Sequence, residues 1–211
     1  MKFRDGDSTQ LEGRQREIHS DPFSHRRATV ADAEALSQVA TQAFIESFGH
    51  LYPDQDLQAF LRGSYSLEQQ ARFLTDEGCA IWLLEDDDGD TVGYALAGAC
   101  DLPHPDVSAG DGELKRLYVL PRAQNHGGGG RLFQAALQWL ERAGSRTLWI
   151  GVWSQNPGAQ RFYARHGFAR VGEYEFPVGR VRDREFILRR EAGQRGFRAE
   201  LLPVVPSETS P

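Results

Sequence analysis

Four consecutive glycines, Gly127 to Gly130, stand between a strand-like run, ELKRLYVLP, and a helix-like run, RLFQAALQWL. Without Cβ atoms the backbone can turn sharply there, so several N–H groups converge on one anion. The positive end of the following helix dipole points to the same place. Such a junction can cradle a diphosphate. No Gly-Lys-Ser/Thr follows the glycines, which excludes a phosphate loop, and the dinucleotide fingerprint GxGxxG is not present as such. Taken alone, the glycines also fit a purely structural turn. Elsewhere, Asp86, Asp87, Asp88 and Asp90 crowd an Asp-Gly turn; they read as a solvated hairpin, because a calcium loop needs a longer ligand pattern ending in Glu. Cys79 and Cys100 lie in no metal-ligand spacing and read as free, buried thiols.

The elements that would position this junction follow from periodicity. His25 to Thr29 reads as a short strand, and Ala33, Leu36, Val39, Ala40, Ala43 and Phe44 recur at helical spacing up to Gly49. DQDLQAFLRG after Pro53 and SLEQQARFLTDEG from Ser66 are two further helical stretches. AIWLLE and TVGYALAGAC flank the acidic turn as a hairpin. After ELKRLYVLP and the glycines, Leu132, Phe133, Ala136, Leu137 and Leu140 form one apolar helix face. TLWIGVW is a strand, NPGAQRFYARHG a helix with Asn156 as N-cap and Pro157 in its first turn, and FARVGEYEF and VRDREFILR close the sheet. The expected fold is a single α/β (α+β) domain with a mixed, mostly antiparallel central sheet flanked by helices. Its expected bounds are 24–190, between a mobile leader (1–23) and a C-terminal tail (191–211) that carries the apolar strip LLPVV.

Composition narrows the function classes. The 211 residues are 40% hydrophobic and 26% charged, with no apolar run long enough for a spanning helix. A formal net charge of -6 argues against nucleic acid as a bulk electrostatic partner. The N-terminal run alternates charges and has no apolar core of the secretory type, so a soluble, cytoplasmic protein is expected.

The segment LKRLYVLPRAQNHGGGGRLFQAAL resembles the acetyl-CoA site of the GNAT acyltransferase superfamily, Arg/Gln-x-x-Gly-x-Gly/Ala between a strand and a helix, with Gln124, Gly127 and Gly129 at its defining positions. NPGAQRFYARHGF is similar to the superfamily's second element through Asn156, Ala159, Phe162, Tyr163, Gly167 and Phe168. The resemblance covers roughly 25–190. AFIESFGHLYPDQDLQAFLRGSYSLEQQARFL, IGVWSQN and FPVG are further similar to the bacterial polyamine acetyltransferases of the PaiA type.

The resemblance implies acetyl-CoA as co-substrate, no metal, and a cofactor site made of Leu117, Tyr118, Val119, Gln124, Asn125, His126, Gly127, Gly128, Gly129, Gly130, Arg131, Asn156, Ala159, Phe162 and Tyr163. It also implies a bulge in the strand over Leu117 to Val119, where a backbone N–H would donate to the thioester oxygen. Tyr163 matches the position of a tyrosine that protonates the leaving thiolate, with a core aromatic as the alternative. His126 falls where phosphate is contacted. Gly128 replaces a usual apolar residue, which suggests a loose loop. An attacking amine must lose a proton, and Glu113 is the candidate base, with Glu85 as substitute and an ordinary strand carboxylate as the alternative. Tyr52, Trp82 and Glu85, with Phe48, Tyr65, Asp54 and Asp56, would line the acceptor mouth. The expected acceptor is a primary amine of a small molecule, a polyamine among them, and the expected state a monomer or homodimer without nucleic-acid or membrane partners. A peptide acetyltransferase and a non-catalytic acyl-CoA sensor using LLPVV are the rivals.

Overall fold

The computed structural model describes residues 22–194. The expected leader up to residue 21, and the tail beyond residue 194 with its LLPVV strip, lie outside the described residues. Along the chain come β1 (Phe23–Arg27), α1 (Ala33–Phe48), α2 (Asp54–Ser64), α3 (Leu67–Thr75), β2 (Ala80–Asp86), β3 (Thr91–Ala99), β4 (Gly112–Val119), α4 (Gly128–Leu140), β5 (Leu148–Trp153), α5 (Pro157–Arg165), β6 (Ala169–Val178) and β7 (Val181–Arg190). Among the described residues the strands form one seven-stranded sheet in the order β1-β2-β3-β4-β5-β7-β6. Only β4 and β5 pair in parallel; the other neighbours are antiparallel. This is the α/β domain with a mostly antiparallel sheet that the element pattern predicts.

Helix α4 covers one face of β2, β3 and β4, and α1 packs on β3 and α3. Alternation along β2 settles which side chains meet which helix. Trp82 and Leu84 share the α4 face: Trp82 meets Trp139 edge-on at 6.4 Å, and Leu84 reaches Gly128. Helix α4 starts at Gly128, three residues before the first apolar-periodic position. A Cβ on Gly128 would lie 2.5 Å from Leu84 Cδ2. The fully buried Leu84 therefore fills the volume a side chain would take, so the missing apolar residue in the glycine run is supplied from the sheet.

Two features open the sheet around β4. Its parallel ladder with β5 holds only Gly112↔Leu148 and Glu113↔Trp149, after which the strands part. On the other edge, Ala97 pairs Leu114 and Leu96 pairs Arg116, leaving Lys115 as a bulge without a partner on β3. The extra residue resets the alternation, so Glu113 and Arg116 lie on the same face although they are three apart. The hairpin of β6 and β7 is fastened to α2 at its tip, where the buried Asp56 accepts from the backbone N of Arg180 at 3.3 Å and from its Nε at 3.2 Å. Tyr52, just before α2, adds a hydrogen bond to Asp183 on β7.

The contact of Gly128 with Leu84 makes a testable prediction. Gly128→Ala overpacks the interface and costs about 1–3 kcal/mol, despite the better helix propensity of alanine. Leu84→Ala alone costs about 2–5 kcal/mol. In urea unfolding the double variant should be more stable than the sum of the single effects, by about 1 kcal/mol or more.

Candidate active site

Where β4 and β5 part, a cleft of about 410 Å³ opens between them. One wall is β4 from Glu113 to Tyr118, and the opposite wall is Ile150 to Trp153 of β5 with Asn156, Ala159 and Tyr163 of α5. Aromatic side chains of the first helices, Phe44, Phe48, Tyr52 and Tyr65, roof it, and Tyr174, Phe176, Asp183 and Glu185 of the β6–β7 hairpin close its far end.

Helix α5 is started by Asn156, whose Oδ1 accepts from the N–H of Ala159 at 2.9 Å, with Pro157 in the first turn. That start presents Tyr163 to the cleft while Phe162, next along, packs edge-on against Phe133 at 5.0 Å. Burial pushes the Tyr163 phenol well above its usual range, so it keeps its proton at neutral pH.

Glu113 is buried, 5% exposed. Its Oε2 accepts from Lys115 Nζ and from the backbone N of Asp101, each at 3.0 Å. Lys115 Nζ also lies 2.9 Å from Asp101 Oδ1. Burial pushes the Glu113 carboxyl up to about 7, and the Lys115 charge and the Asp101 N–H restrain it. Arg116 lies with its guanidinium 4.7 Å over the Tyr65 ring, in the roof.

At the end of β4 the chain enters the glycine loop. Gln124 folds back and donates from Nε2 to the carbonyl of Val119 at 2.8 Å, holding the loop to the strand. Asn125 and Gly127 take positive φ of 66° and 83°. No side chain caps α4, so the N–H groups of its first turn face outward from Gly128, Gly129 and Gly130. That uncapped terminus fits the diphosphate of acetyl-CoA, with the exposed His126 and the half-buried Arg131 beside it. His126 stacks 5.7 Å from the ring of Phe23.

The expected residues thus fall into groups. Glu113, Leu117, Tyr118, Asn156, Ala159, Tyr163 and Tyr52 line the cleft, with Val119 and the loop from Gln124 to Arg131 continuing from its β4 wall. Trp82 and Glu85 do not line it. Trp82 is on the α4 face, with Arg27 stacked 4.8 Å over its ring, and Glu85 accepts from Arg26 Nε at 3.0 Å on the β1 side. Asp56 is likewise spent on Arg180. Lys115, Asp101, Tyr174, Asp183 and Glu185 are cleft residues that no motif marks. The alternation of Asp183 and Glu185 along one strand is the one signal that could have drawn attention to the last two. Among the described residues no group of three or more His, Cys, Asp or Glu side chains could hold a metal ion, and no helix is long and apolar enough to cross a membrane.

Residues 38–168 match the model of the acetyltransferase (GNAT) family. The chain belongs to the GNAT acetyltransferase family. It is 31% identical to an N-acetyltransferase of Mycobacterium tuberculosis over 162 residues, covering 77% of this chain and 99% of that one. A spermine/spermidine N(1)-acetyltransferase of Bacillus subtilis is 30% identical over 99 residues, 46% of this chain and 65% of that one. The fold matches the crystal structure of the PaiA N-acetyltransferase of Thermoplasma acidophilum in complex with coenzyme A, with a TM-score of 0.63 at 19% identity, covering 80% of this chain and 98% of that one. This GNAT protein is therefore an acetyl-CoA-dependent N-acetyltransferase.

The environment of Glu113 ties stability to pH. A carboxyl raised in the folded state binds its proton more tightly there than in the unfolded chain, whose value is 4.5. Stability is thus lost as pH rises from about 4.5 to about 7, by roughly 3 kcal/mol for a shift of this size. Thermal unfolding between pH 5 and 8 should show the native enzyme losing stability relative to Glu113→Gln, whose amide does not titrate.

Proposed function

We propose that this GNAT acetyltransferase transfers the acetyl group directly to a primary amine of a small polycationic molecule, a polyamine being the class that fits the cleft best. The observation that carries the reading is the pair Asp183 and Glu185. Both line the cleft from one face of β7, and each has only a tyrosine partner: Tyr52 donates to Asp183, and Tyr174 donates to Glu185 at 2.6 Å. Among the described residues neither has a cationic partner. Burial raises the Glu185 carboxyl above its usual range, and an ammonium beside it would restore its ionised form. The Tyr52 bond to Asp183 joins the helical roof to the hairpin, which favours a small acceptor over an extended peptide. The spermine/spermidine enzyme of Bacillus subtilis among the relatives points the same way.

In this mechanism acetyl-CoA supplies an activated acetyl thioester. The edge of β4 over Leu117, Tyr118 and Val119, free of β5, offers backbone N–H groups to the thioester oxygen. Glu113 takes the proton from the attacking amine, and the protonated Tyr163 phenol donates to the departing sulphur. Neither cysteine competes as a nucleophile. Burial pushes the thiols of Cys79 and Cys100 up to about 11 and about 12, so both stay protonated at neutral pH. Two free thiols also suit a reducing cytoplasm, where the enzyme would act as a monomer or homodimer.

A free-thiol release assay with acetyl-CoA tests this reading. With spermidine, kcat/KM should rise with pH through about 7 as Glu113 ionises, and Glu113→Gln and Tyr163→Phe should each lower kcat by ~10²–10⁴. Glu185→Gln should raise KM for spermidine ~10-fold or more, as for a lost charged hydrogen bond, and leave KM for a simple monoamine unchanged. Equal effects on both acceptors would remove the polyamine reading.

A further inference from the structure

The mechanism leaves one buried charge at the cleft without a task, the ammonium of Lys115. Lys115 is the residue that the β4 bulge leaves unpaired. Its stem runs over Gly98 on β3, where an added Cβ would lie 3.1 Å from Lys115 Cε. Only this path brings Nζ back against the strand direction to both Glu113 Oε2, at 3.0 Å, and Asp101 Oδ1, at 2.9 Å. Three local features therefore serve one contact: an extra residue, a missing Cβ on the neighbouring strand and an acidic anchor in the segment after β3. We infer that Lys115 is the positioning residue of the reaction, held by the bulge, Gly98 and Asp101 so that its ammonium orients Glu113 and keeps it ready to accept the proton of the acceptor amine. This rests on the reading of Glu113 as the base.

The physical need is plain. A carboxylate with so little exposure cannot stay ionised on its own at neutral pH, because desolvation favours the neutral acid. The titratable groups that meet Glu113 are Lys115 on its own strand, Cys100 and Asp101 in the segment after β3, and Tyr174 on β6. Lys115 is the one cation among them. Asp101 and any ionised form of Tyr174 or Cys100 oppose the charge. Lys115 cannot itself be the base: burial alone would lower it, but Glu113 and Asp101 hold it above the ordinary lysine value.

Kinetics and infrared spectroscopy on the full chain test the inference. In Lys115→Met the acid limb of kcat/KM should move up by about one to three pH units, the effect of removing an adjacent opposite charge, with a loss of about five-fold or more at pH 7. Lys115→Arg should return the limb most of the way. The protonated-carboxyl infrared band, identified by its loss in Glu113→Gln, should titrate with the same displacement, independently of turnover. If Lys115→Met does not fold, Lys115→Gln removes the charge while keeping a donor, and the same shift is expected. An unmoved acid limb and an unmoved carboxyl band in the charge-removing variant would overturn the role of Lys115. If instead Glu113→Gln keeps the native rate and acid limb, the base reading itself fails, and the role of Lys115 goes with it.

Discussion

The rest of the site depends on an interrupted strand ladder. Strand β4 is paired with β3 along its length but with β5 at two positions only, so from Leu114 to Val119 one edge of a central strand faces a cleft instead of a neighbour. Unpaired backbone groups inside a fold cost about 1–3 kcal/mol each unless water or a ligand meets them. A ligand that threads the gap and offers its own donors and acceptors removes that cost, which is what the amide-bearing arm of acetyl-CoA can do. The opening is kept by elements on both sides. Helix α4, seated on Leu84 through Gly128, fixes the end of β4 that enters the glycine loop. Helix α5, capped by Asn156, fixes the far wall.

The electrostatic character changes along the cleft. At the glycine loop the uncapped α4 terminus, His126 and Arg131 favour an anion. At the other end Glu113, Asp183 and Glu185 line the cavity and favour a cation. The two substrates are thereby drawn to opposite ends and meet where β4 and β5 part. Tyr163 and Glu113 both line that stretch, one a protonated phenol and the other a carboxyl held near neutrality. Two titratable groups with protonation states so far apart are suited to opposite proton transfers in one turnover.

How much of this is legible in the sequence depends on whether the governing contact is local. The apolar face of α4, the Asn156 cap and the turn-forming glycines are written within a few residues, and the elements fall where periodicity puts them. Trp82 is different: an aromatic on a strand next to the site reads as a cleft wall, but alternation pairs it with Leu84 on the α4 face, and only the docking of α4 decides which face that is. The bulge at Lys115 is also hidden. In an unbroken strand Glu113 and Arg116 would point to opposite faces, and nothing in KRLYV announces the extra residue. Gly128 looks like a packing defect until Leu84, distant in sequence, is seen to fill it. Asp183 and Glu185 show their shared face through their spacing, yet their place in the cleft requires the β6–β7 hairpin to be fastened to α2 through Asp56 and Arg180.

The central claim is that amine and thioester meet in one cleft and react without a covalent enzyme intermediate. Steady-state initial rates, measured while acetyl-CoA and spermidine are varied together, test it most directly. The account predicts double-reciprocal lines that intersect, with no thiol released until the amine is added. Parallel lines, or a stoichiometric burst of thiol from acetyl-CoA alone, would contradict it.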